Sequence, residues 1–448
     1  MYYPILFNDF LYWWDDQWQV MNHYTEGGIN FDNLWAILTE FFGGQYSPVD
    51  EYMYLFIFTL FEYNPMAFHL ASLLLHAGSV CLVYIIIIRI AAQSKRIKLE
   101  NASTIAFIAA LLFAIHPLNV EAIAWISASK IVVYAFFYLA ATYTCLIYLD
   151  KKKNLFYILT LILFAFYFGG KEQAVTFPLW LLMLYWLSGY SLKERKVWMQ
   201  VTPFFVLAIV FGLVTMFSQA ANGSGILLGA TGGYPLWQRF VFGCYAIIEY
   251  IVKFVVPFNL LYIYPFPMVS GEPLPSWMLF YPALIIIVLA ALWKYITQKP
   301  VAIGLVFFLI HIALVLHIIP LSRFVVIADR YIYLACIGLA FIFACYFVKF
   351  VAGKRGTVRK AAIGCFLSIT LILSVYSNIR SRAWKDTDSI KRELRELLEK
   401  RDDYVPPPEV EKLMQDDKKE DGDLDKDEEK TDSEEKPEVV EDVTKIKK

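Results

Sequence analysis

The chain has 448 residues, and its composition excludes most soluble classes of protein. Apolar residues make up 58% of it, 18% are charged, and the mean hydropathy is +0.52, whereas an average soluble domain is nearer ~45–50% apolar and ~25% charged. A soluble fold could not hide that much apolar surface from water, so the bilayer is the expected solvent. A soluble enzyme, a secreted disulfide scaffold and a nucleic-acid binder with a basic face are all excluded.

The net charge of −1 averages two unlike parts of the chain. Residues 404–448 contain 17 Asp/Glu and 9 Lys, a net charge of −8, with almost no apolar content. The remaining residues carry 31 Lys/Arg and 24 Asp/Glu, a net charge of +7. We therefore expect the tail to be disordered. The helical charge spacing before it predicts a short helix within 381–403.

The predicted fold is all-α: a polytopic membrane protein with about ten transmembrane helices in a single domain over 67–380. A spanning helix takes about 20 largely apolar residues. Ten segments meet or approach this length: 67–91, 103–115, 131–149, 155–170, 173–190, 201–218, 277–297, 301–320, 331–351 and 361–378. Pro178 is expected inside a span, which it would bend.

Lysines and arginines fall in alternate loops, which predicts the topology by the positive-inside rule. Lys151–Lys153 and Lys349–Lys360 are typical of the cytoplasmic loops. A single crossing at 239–264 would invert every later loop, so this apolar segment is predicted to lie on the membrane or to be re-entrant. Segment 52–61 is interpreted in the same way. The extracytoplasmic parts are then the loops 1–66, 116–130, 171–172, 219–276 and 321–330 and the C-terminal tail.

The N-terminal region is acidic. Residues 1–88 contain nine Asp/Glu and no Lys or Arg, which suits an extracytoplasmic loop. Nothing before this loop resembles a signal peptide, because a basic n-region and a long apolar h-region are both missing. We expect that a first spanning helix is missing from the start of the chain.

Two adjacent carboxylates, Asp15 and Asp16, lie among four aromatic residues beside the predicted membrane surface. An aromatic belt explains the tryptophans but not the two acids. One carboxylate could act as a general base that takes a proton from an attacking hydroxyl, and the other could orient the acceptor or bind a metal. The alternative is a helix N-cap or a solvated turn.

The other predicted outer loops also carry ionisable residues, and the topology places all of them on one membrane face. Acids there could handle protons, while cations could hold a phosphate. The alternatives are a hydrogen-bonded loop histidine, a snorkelling lysine, a Lys–Glu surface turn and an Asp–Arg ion pair. The residues are His116, Glu121 and Lys130 in one loop, Lys171 and Glu172 in the next, and Arg323, Asp329 and Arg330 in the last.

Several common chemistries lack sequence support. A Walker loop, a GxGxxG motif and an HExxH motif are all missing, so nucleotide-binding and zinc-peptidase functions are not indicated. The six cysteines lie in apolar runs without a CxxC pair or a neighbouring histidine, as expected of small core residues. No cofactor is predicted, and a divalent metal is possible but unsupported because Lys and Arg can neutralise a monophosphate.

These motifs resemble those of integral-membrane glycosyltransferases of the GT-C class, above all the transmembrane and tetratricopeptide-repeat O-mannosyltransferases and their bacterial relatives. The resemblance extends over residues 4–386. It is carried by Asp15-Asp16, Asn64-Pro65 with His69-Leu70 and Leu73–Ala77, His116–Lys130, Lys171-Glu172 with Pro178-Leu179, Asp329–Leu334, and Trp384-Lys385-Asp386.

The resemblance implies a polyprenyl-phosphate-linked sugar as donor and a hydroxyl of a protein or glycan as acceptor. Transfer would occur on the extracytoplasmic face of a bacterial inner membrane, or in the endoplasmic reticulum lumen of a eukaryote. Asp15 and Asp16 would be catalytic, with Asp16 as the base. The donor phosphate would be held by Lys130, Lys171, Arg323 and Arg330, and the supporting residues would be His116, Glu121, Glu172 and Asp329.

The sequence also departs from the family pattern. Ile131 follows Lys130 where an acid is often found, and one helix and the acidic tail follow Trp384-Lys385-Asp386 in place of the repeats. Two alternatives therefore stay open. One is a lipid or polysaccharide flippase or transporter, although no internal repeat of the transporter type is evident. The other is a degenerate, non-catalytic subunit of a glycosylation complex.

Overall fold

The computed structural model describes residues 1–12, 14–168, 172–221, 233–261, 263–268, 271–318 and 325–399. Within these residues the chain forms α-helices, short 3-10 turns and one small antiparallel sheet. The predicted disordered tail, 404–448, lies outside the described residues. The helix predicted before it forms at Thr387–Glu399.

Four short helices precede the first long one. Asparagines begin two of them, because the side chains of Asn22 and Asn30 accept hydrogen bonds from first-turn N–H groups. Proline occupies the first turn of the fourth, where its missing N–H costs little. The helices are Asp16–Gln19 (α1), His23–Glu26 (α2), Phe31–Thr39 (α3) and Pro48–Phe61 (α4).

The remaining helices form the bundle and its attachments. They are Pro65–Gln93 (α5), Ala102–Ile115 (α6), Val120–Ala124 (α7), Ser129–Lys151 (α8), Asn154–Phe168 (α9), Phe177–Leu187 (α10), Arg195–Ala221 (α11), Leu236–Val255 (α12), Phe280–Ile296 (α13), Lys299–Ile312 (α14), Cys336–Ala352 (α15), Gly356–Ala383 (α16) and Thr387–Glu399 (α17). The sheet pairs Tyr264–Pro265 (β1) with Val325–Ile327 (β2).

The all-α, polytopic membrane fold is confirmed. Among the described residues, five helical segments are long and apolar enough to cross a membrane, and a sixth results if the pair formed by α6 and Pro117–Ala124, bent by 53°, counts as one span. Helices α9, α10, α14 and α15 are apolar but shorter. Each of the ten predicted segments thus corresponds to an apolar helix.

Helix α8 lies at the centre of the bundle and packs against α5 and α9. Its side chains Tyr134 and Tyr138 are buried. Helix α13, by contrast, is apolar, and none of its side chains is buried within the described structure. Because an apolar helix without a protein partner is unfavourable in water, α13 has the composition of a lipid-facing helix.

Helices α14 and α15 approach closely through glycine. A methyl group added to Gly338 would collide with the backbone carbonyl oxygen of Gly304, and one added to Gly304 would lie 2.6 Å from the carbonyl oxygen of Gly338. Small residues permit such close backbone contact between membrane helices. Glycine at both positions is therefore what allows this pair of helices to pack.

Two sequence predictions need correction in detail. Pro178 lies in the first turn of α10 rather than inside a span, because the preceding residues, Glu172–Thr176, form a 3-10 turn. The apolar segment 239–264 is helical only to Val255, after which the chain turns into β1. One side of α12 is buried and the other exposes Leu236, Trp237, Phe240 and Val252.

Candidate functional site

One end of the bundle gathers most of the candidate residues, and we call it the site end. Helix α6 ends there, just before His116, and α8 and α15 begin there. The N-terminal segment, residues 1–64, packs against this end. The hydroxyl of Tyr54, for example, lies 2.8 Å from that of Ser129 and donates to the carbonyl of Ile126 at 3.2 Å.

Asp16 is fully buried between the N-terminal segment and the loop before α8. Its carboxylate accepts hydrogen bonds from the N–H of Leu11 at 2.9 Å, from the N–H of Ser127 at 2.9 Å and from the Ser127 hydroxyl. Burial raises the pKa of Asp16 to about 6, although these hydrogen bonds oppose the shift. Both oxygens already have donors, so Asp16 joins two parts of the chain.

Asp15 is placed differently from its neighbour. It is half-buried, and its Oδ1 accepts one hydrogen bond, from Nε1 of Trp18 at 3.2 Å. No residue that the structure describes donates to its second oxygen. A general base must reach the proton that it removes. The geometry therefore favours Asp15 over Asp16 as the group that contacts a substrate, which differs from the sequence-based assignment.

Trp125 connects the candidate residues from three parts of the chain. Its ring meets the edge of Trp14 at a centroid distance of 6.5 Å and stacks on Trp384 at 5.9 Å. The guanidinium carbon of Arg330 lies 5.3 Å from the centroid of the same ring, within the range of a cation–π contact. The acidic segment and Arg330 therefore border one aromatic surface.

Glu121 and Arg330 form a largely buried ion pair. The guanidinium of Arg330 donates to Oε1 of Glu121, and the backbone N–H of Arg330 donates to Oε2 at 2.8 Å. Burial alone would lower the pKa of Arg330. The attraction of the Glu121 carboxylate is the larger effect, so the pKa is raised. The Arg330 side chain is 18% exposed, so the ion pair lies close to the surface of the site end.

Asp329 lies in a second buried network behind Arg330. Its Oδ1 accepts a hydrogen bond from the hydroxyl of Tyr264 at 2.9 Å, and its Oδ2 lies 3.9 Å from Arg380. Arg380 also lies 3.4 Å from Glu393 of α17 and donates to the carbonyl of Leu260 at 2.7 Å. Burial raises the pKa of Asp329, while Arg380 opposes the shift. The expected Asp329–Arg330 ion pair is thus replaced by Asp329–Arg380.

Lys130 faces a polar group on the N-terminal segment. Its Nζ donates to Oε1 of Gln19 at 3.1 Å and to Oε1 of Gln45 at 2.9 Å. Burial raises the pKa of the nearby Glu51 to about 7, against opposing effects of Asn22 and Lys130. Lys130 is partly exposed, so its ammonium group is held by neutral acceptors at the edge of the site.

The contacts of His116 hold two parts of the fold together. Its Nδ1 accepts a hydrogen bond from the N–H of Leu118 at 3.3 Å, so Nε2 carries the proton and donates to the carbonyl of Phe254 at 2.9 Å. The imidazole also stacks on the Phe254 ring at 4.7 Å. These contacts fix a neutral tautomer. The histidine joins the end of α6 to α12, which is the alternative role considered from the sequence.

Two of the sequence motifs, at residues 73–77 and 329–334, contact each other in the interior beneath the site. The Nδ1 of His76, on α5, lies 2.6 Å from the hydroxyl of Tyr333. The rings of His76 and Tyr333 also pack around Phe113 of α6. The motif at residues 73–77 therefore supports the segment that carries Asp329 and Arg330.

Three predicted residues cannot be placed at the site. Lys171 and Arg323 lie outside the described residues. Glu172 begins the 3-10 turn before α10, and its side chain is not described. In the part of the chain that the structure describes, no group of three or more His, Cys, Asp or Glu side chains could hold a metal ion.

Sequence reasoning missed Ser127, Gln19, Glu51 and Arg380. Ser127 and Gln19 carry no signal of their own, since both are common residues in loops and short helices. Arg380 does carry one, because an arginine close to an apolar span is expensive unless it is paired or functional. Glu51 was assigned to the acidic loop, and the sequence gives no indication that it is buried.

The fold and these contacts define an α-helical, polytopic membrane protein with an acidic, cationic and tryptophan-lined site at one end of its bundle. A stretch of 90 residues is 34% identical to the Drosophila melanogaster protein named Protein O-mannosyl-transferase Tmtc3, covering 17% of this chain and 10% of that protein. The match thus spans about a tenth of the relative's length. No protein-family profile matches the chain. This similarity is distant and covers only part of each protein.

Proposed function

We propose that the chain is a GT-C-type glycosyltransferase. It moves a sugar from a polyprenyl-phosphate donor to a hydroxyl of a protein or glycan on the extracytoplasmic side of its membrane. The observation that carries the proposal is that the Trp125 ring contacts both Trp14, the chain neighbour of Asp15, and the guanidinium of Arg330. The segment that carries the proposed proton acceptor and the proposed phosphate-binding cation thereby contact the same ring.

The proposed reaction is a single displacement at the anomeric carbon. The acceptor oxygen forms a bond to that carbon as the bond from the carbon to the lipid phosphate oxygen breaks. Asp15 takes the proton of the acceptor hydroxyl, and the lipid phosphate leaves with the bonding electrons. Arg330 and Lys130 offset the charge on the leaving phosphate. Trp18 orients Asp15, and Asp16 positions the segment that carries it.

The assignment of Asp15 rests on access. Asp15 is half-buried, and no described residue donates a hydrogen bond to its second oxygen. Both oxygens of Asp16, by contrast, accept hydrogen bonds from Leu11 and Ser127. A positioned general base typically contributes a factor of ~10²–10⁴ in rate. The variant Asp15→Asn keeps the shape and the Trp18 contact but removes the base. It is expected to lower kcat by about that factor.

The test uses the full-length protein in lipid nanodiscs with a labelled polyprenyl-phosphate sugar and a hydroxyl-bearing peptide or glycan. The wild type is expected to form labelled product. Asp15→Asn is expected to lose activity, while Asp32→Asn, which removes an exposed acid from α3, keeps it. Unchanged kcat in a folded Asp15→Asn protein would remove Asp15 from the mechanism.

A second measurement separates the proposed function from its alternatives. If the folded wild type transfers none of a panel of polyprenyl-phosphate sugars, the transferase proposal fails. Movement of the intact donor across the bilayer under those conditions would instead identify a flippase. Product that forms only after a second protein is added would indicate a subunit of a larger complex.

Lys130 is tested through donor affinity. Lys130→Ala is expected to raise the KM for the donor by about tenfold, which corresponds to ~1.4 kcal/mol of lost binding, with a smaller effect on kcat. Lys130→Arg keeps the charge and should recover most of the affinity. An unchanged donor KM in Lys130→Ala would exclude Lys130 from the phosphate site.

A further inference from the structure

A cavity lies at the end of the bundle opposite the site end. Its volume is about 460 Å³, within the ~300–1,000 Å³ common for ligand pockets. It is bordered by the loop before α6, the first turn of α14 and the last turns of α15. Since α6 ends and α15 begins at the site end, the cavity is roughly 20 Å from the candidate site.

The cavity has apolar walls and a cationic rim. Ile105, Val301 and Val348 supply buried apolar side chains from three helices of the bundle. Lys98 and Lys349 lie at the rim, with one opposing carboxylate from Glu100. A free, fully hydrated anion would gain little from the walls, and a neutral hydrocarbon would gain little from the lysines. Both parts suit an anion attached to an apolar chain.

One side chain in the cavity wall, that of Tyr346, has an unsatisfied polar group. The hydroxyl of Tyr346 is buried and makes no hydrogen bond to any described residue. Such a group is unfavourable unless a ligand or water satisfies it. Tyr346 is one turn from Lys349 on α15, so its hydroxyl and the ammonium group can address the same ligand.

The helix ends add favourable electrostatics. Helix α6 begins after Asn101 and α14 after Gln298, and neither residue caps its helix with a side-chain hydrogen bond. Their first-turn N–H groups therefore lack a side-chain acceptor, and a helix N-terminus favours an anion. The helix ends strengthen an argument that already stands on the cavity, the two lysines and Tyr346.

We infer that this cavity binds the phosphate group of an anionic membrane lipid. The phosphate lies between Lys98, Lys349 and the Tyr346 hydroxyl, and the tails pack on the apolar walls. The location suits a lipid, because the cavity lies where apolar helices end and where headgroups of the adjacent leaflet are found. The site is separate from the proposed transferase site and does not depend on it.

The test measures lipid binding by the full-length protein in neutral detergent, using short-chain phosphatidylglycerol as the probe and native mass spectrometry as the readout. The double variant Lys98→Ala/Lys349→Ala is expected to weaken binding by about tenfold or more, since each basic residue near an anionic headgroup contributes roughly 1 kcal/mol. The matched control, Lys354→Ala/Lys360→Ala, removes two exposed lysines from the same end outside the cavity and should bind like the wild type.

A second variant separates binding from folding. Tyr346→Phe removes the hydroxyl and keeps the ring, so it should leave the Tm in neutral lipid unchanged and weaken phosphatidylglycerol binding by about tenfold or more, a typical loss for one hydrogen bond to a charged group. Binding that is equal in the wild type, the double lysine variant and Tyr346→Phe overturns the lipid site. Inorganic phosphate that binds as tightly as phosphatidylglycerol overturns the lipid assignment. Loss of sugar transfer with intact lipid binding counts only against the proposed function.

Discussion

The carboxylate of Asp16 holds Ser127 by two hydrogen bonds, one from the backbone N–H at 2.9 Å and one from the hydroxyl. This contact joins the start of the chain to the loop that leads into α8, across 111 residues of sequence. It makes Asp16 a structural anchor of the acidic segment. Several measurable consequences follow from this contact and from its neighbours.

The first prediction concerns the stability of this anchor. Ser127→Ala removes one donor to a buried carboxylate and is expected to lower the free energy of unfolding by about 1–3 kcal/mol. The loss should appear as a lower Tm in nanodiscs. Ser103→Ala, an exposed serine on α6, should leave the Tm unchanged. Equal Tm values for Ser127→Ala and the wild type would contradict the proposed anchor.

The second prediction is a pH dependence of stability. Burial raises the pKa of Asp16 from its ordinary 3.8 to about 6, so the folded protein favours the protonated carboxyl more than the unfolded chain does. The resulting contribution of Asp16 to the free energy of unfolding is fully present below about pH 4 and is lost as pH rises through 6. The pKa of Glu51 is raised to about 7, so Glu51 adds a further loss of stability at slightly higher pH.

Thermal unfolding between pH 4 and 8 checks this sign. The Tm of the wild type should decrease, relative to that of Asp16→Asn, as pH rises from about 4 to 6. Asp16→Asn should flatten the part near pH 6, whereas Asp32→Asn, which removes an exposed acid, should not. A Tm that instead rises through pH 6, with the same slope in Asp16→Asn, would show that the pKa of Asp16 is not raised in the folded protein.

The third prediction concerns the Glu121–Arg330 ion pair. Removing one member of a buried pair leaves the other charge uncompensated, which typically costs about 3–5 kcal/mol. Glu121→Gln and Arg330→Gln should therefore each destabilise the protein strongly, and the double variant should lose less than the sum of the two. A double-mutant cycle measures the coupling.

A surface pair provides the control for this cycle. Lys385 and Asp386 approach to 3.6 Å, and their side chains are 68% and 36% exposed; pairs at the surface contribute about 0–1 kcal/mol. Additive effects of Glu121→Gln and Arg330→Gln, like those expected for Lys385→Met and Asp386→Asn, would show that the buried pair is not energetically coupled.

The fourth prediction concerns Trp384, which is buried and stacked on Trp125. Trp384→Ala is expected to cost about 3–5 kcal/mol, as for other large-to-small changes in a core. It should also increase proteolysis of α17, since that helix follows directly. Trp293→Ala, on the exposed face of α13, is the control. Normal Tm and protease resistance in Trp384→Ala would exclude a structural role for the stacking.

The fifth prediction concerns the contact between α14 and α15. Gly338→Ala places a methyl group against the carbonyl oxygen of Gly304, and overpacking of this kind costs about 1–3 kcal/mol. Gly364→Ala is the matched control, because nothing lies within 4 Å of the added methyl group. A Tm for Gly338→Ala at or above that of Gly364→Ala would show that the helices can separate freely.

The helices were predictable because hydropathy is a local property of the sequence. Each apolar run identifies a helix whatever it packs against, so all ten predicted segments occur as helices. The entry of the chain into α10 was less predictable. A proline such as Pro178 suits both a bent span and a helix start, and hydropathy does not distinguish them.

The site was only partly predictable. Acids and cations in alternate loops indicated which residues lie at one end, and Asp15, Glu121 and Arg330 are found there. Their partners were not predictable, because contacts such as Asp16 to Ser127 or Asp329 to Arg380 depend on how distant segments pack. Burial also decides between Asp15 and Asp16, and two adjacent acids in a sequence give no information about which one is enclosed.

The N-terminal segment is attached to residues far along the chain. The Asn8 side chain donates to the carbonyl of Ser381, a separation of 373 residues, and the N–H of Asp9 donates to the carbonyl of Lys385 at 2.7 Å. During synthesis the segment bearing Asp15 must therefore wait until α16 has been made and inserted. In a ribosome-stalled chain that ends within α15, the early helices would be in the membrane. The acidic segment would still lack its hydrogen bonds to Ser381 and Lys385. Protease accessibility of that segment during synthesis would thus show when it packs against the end of α16.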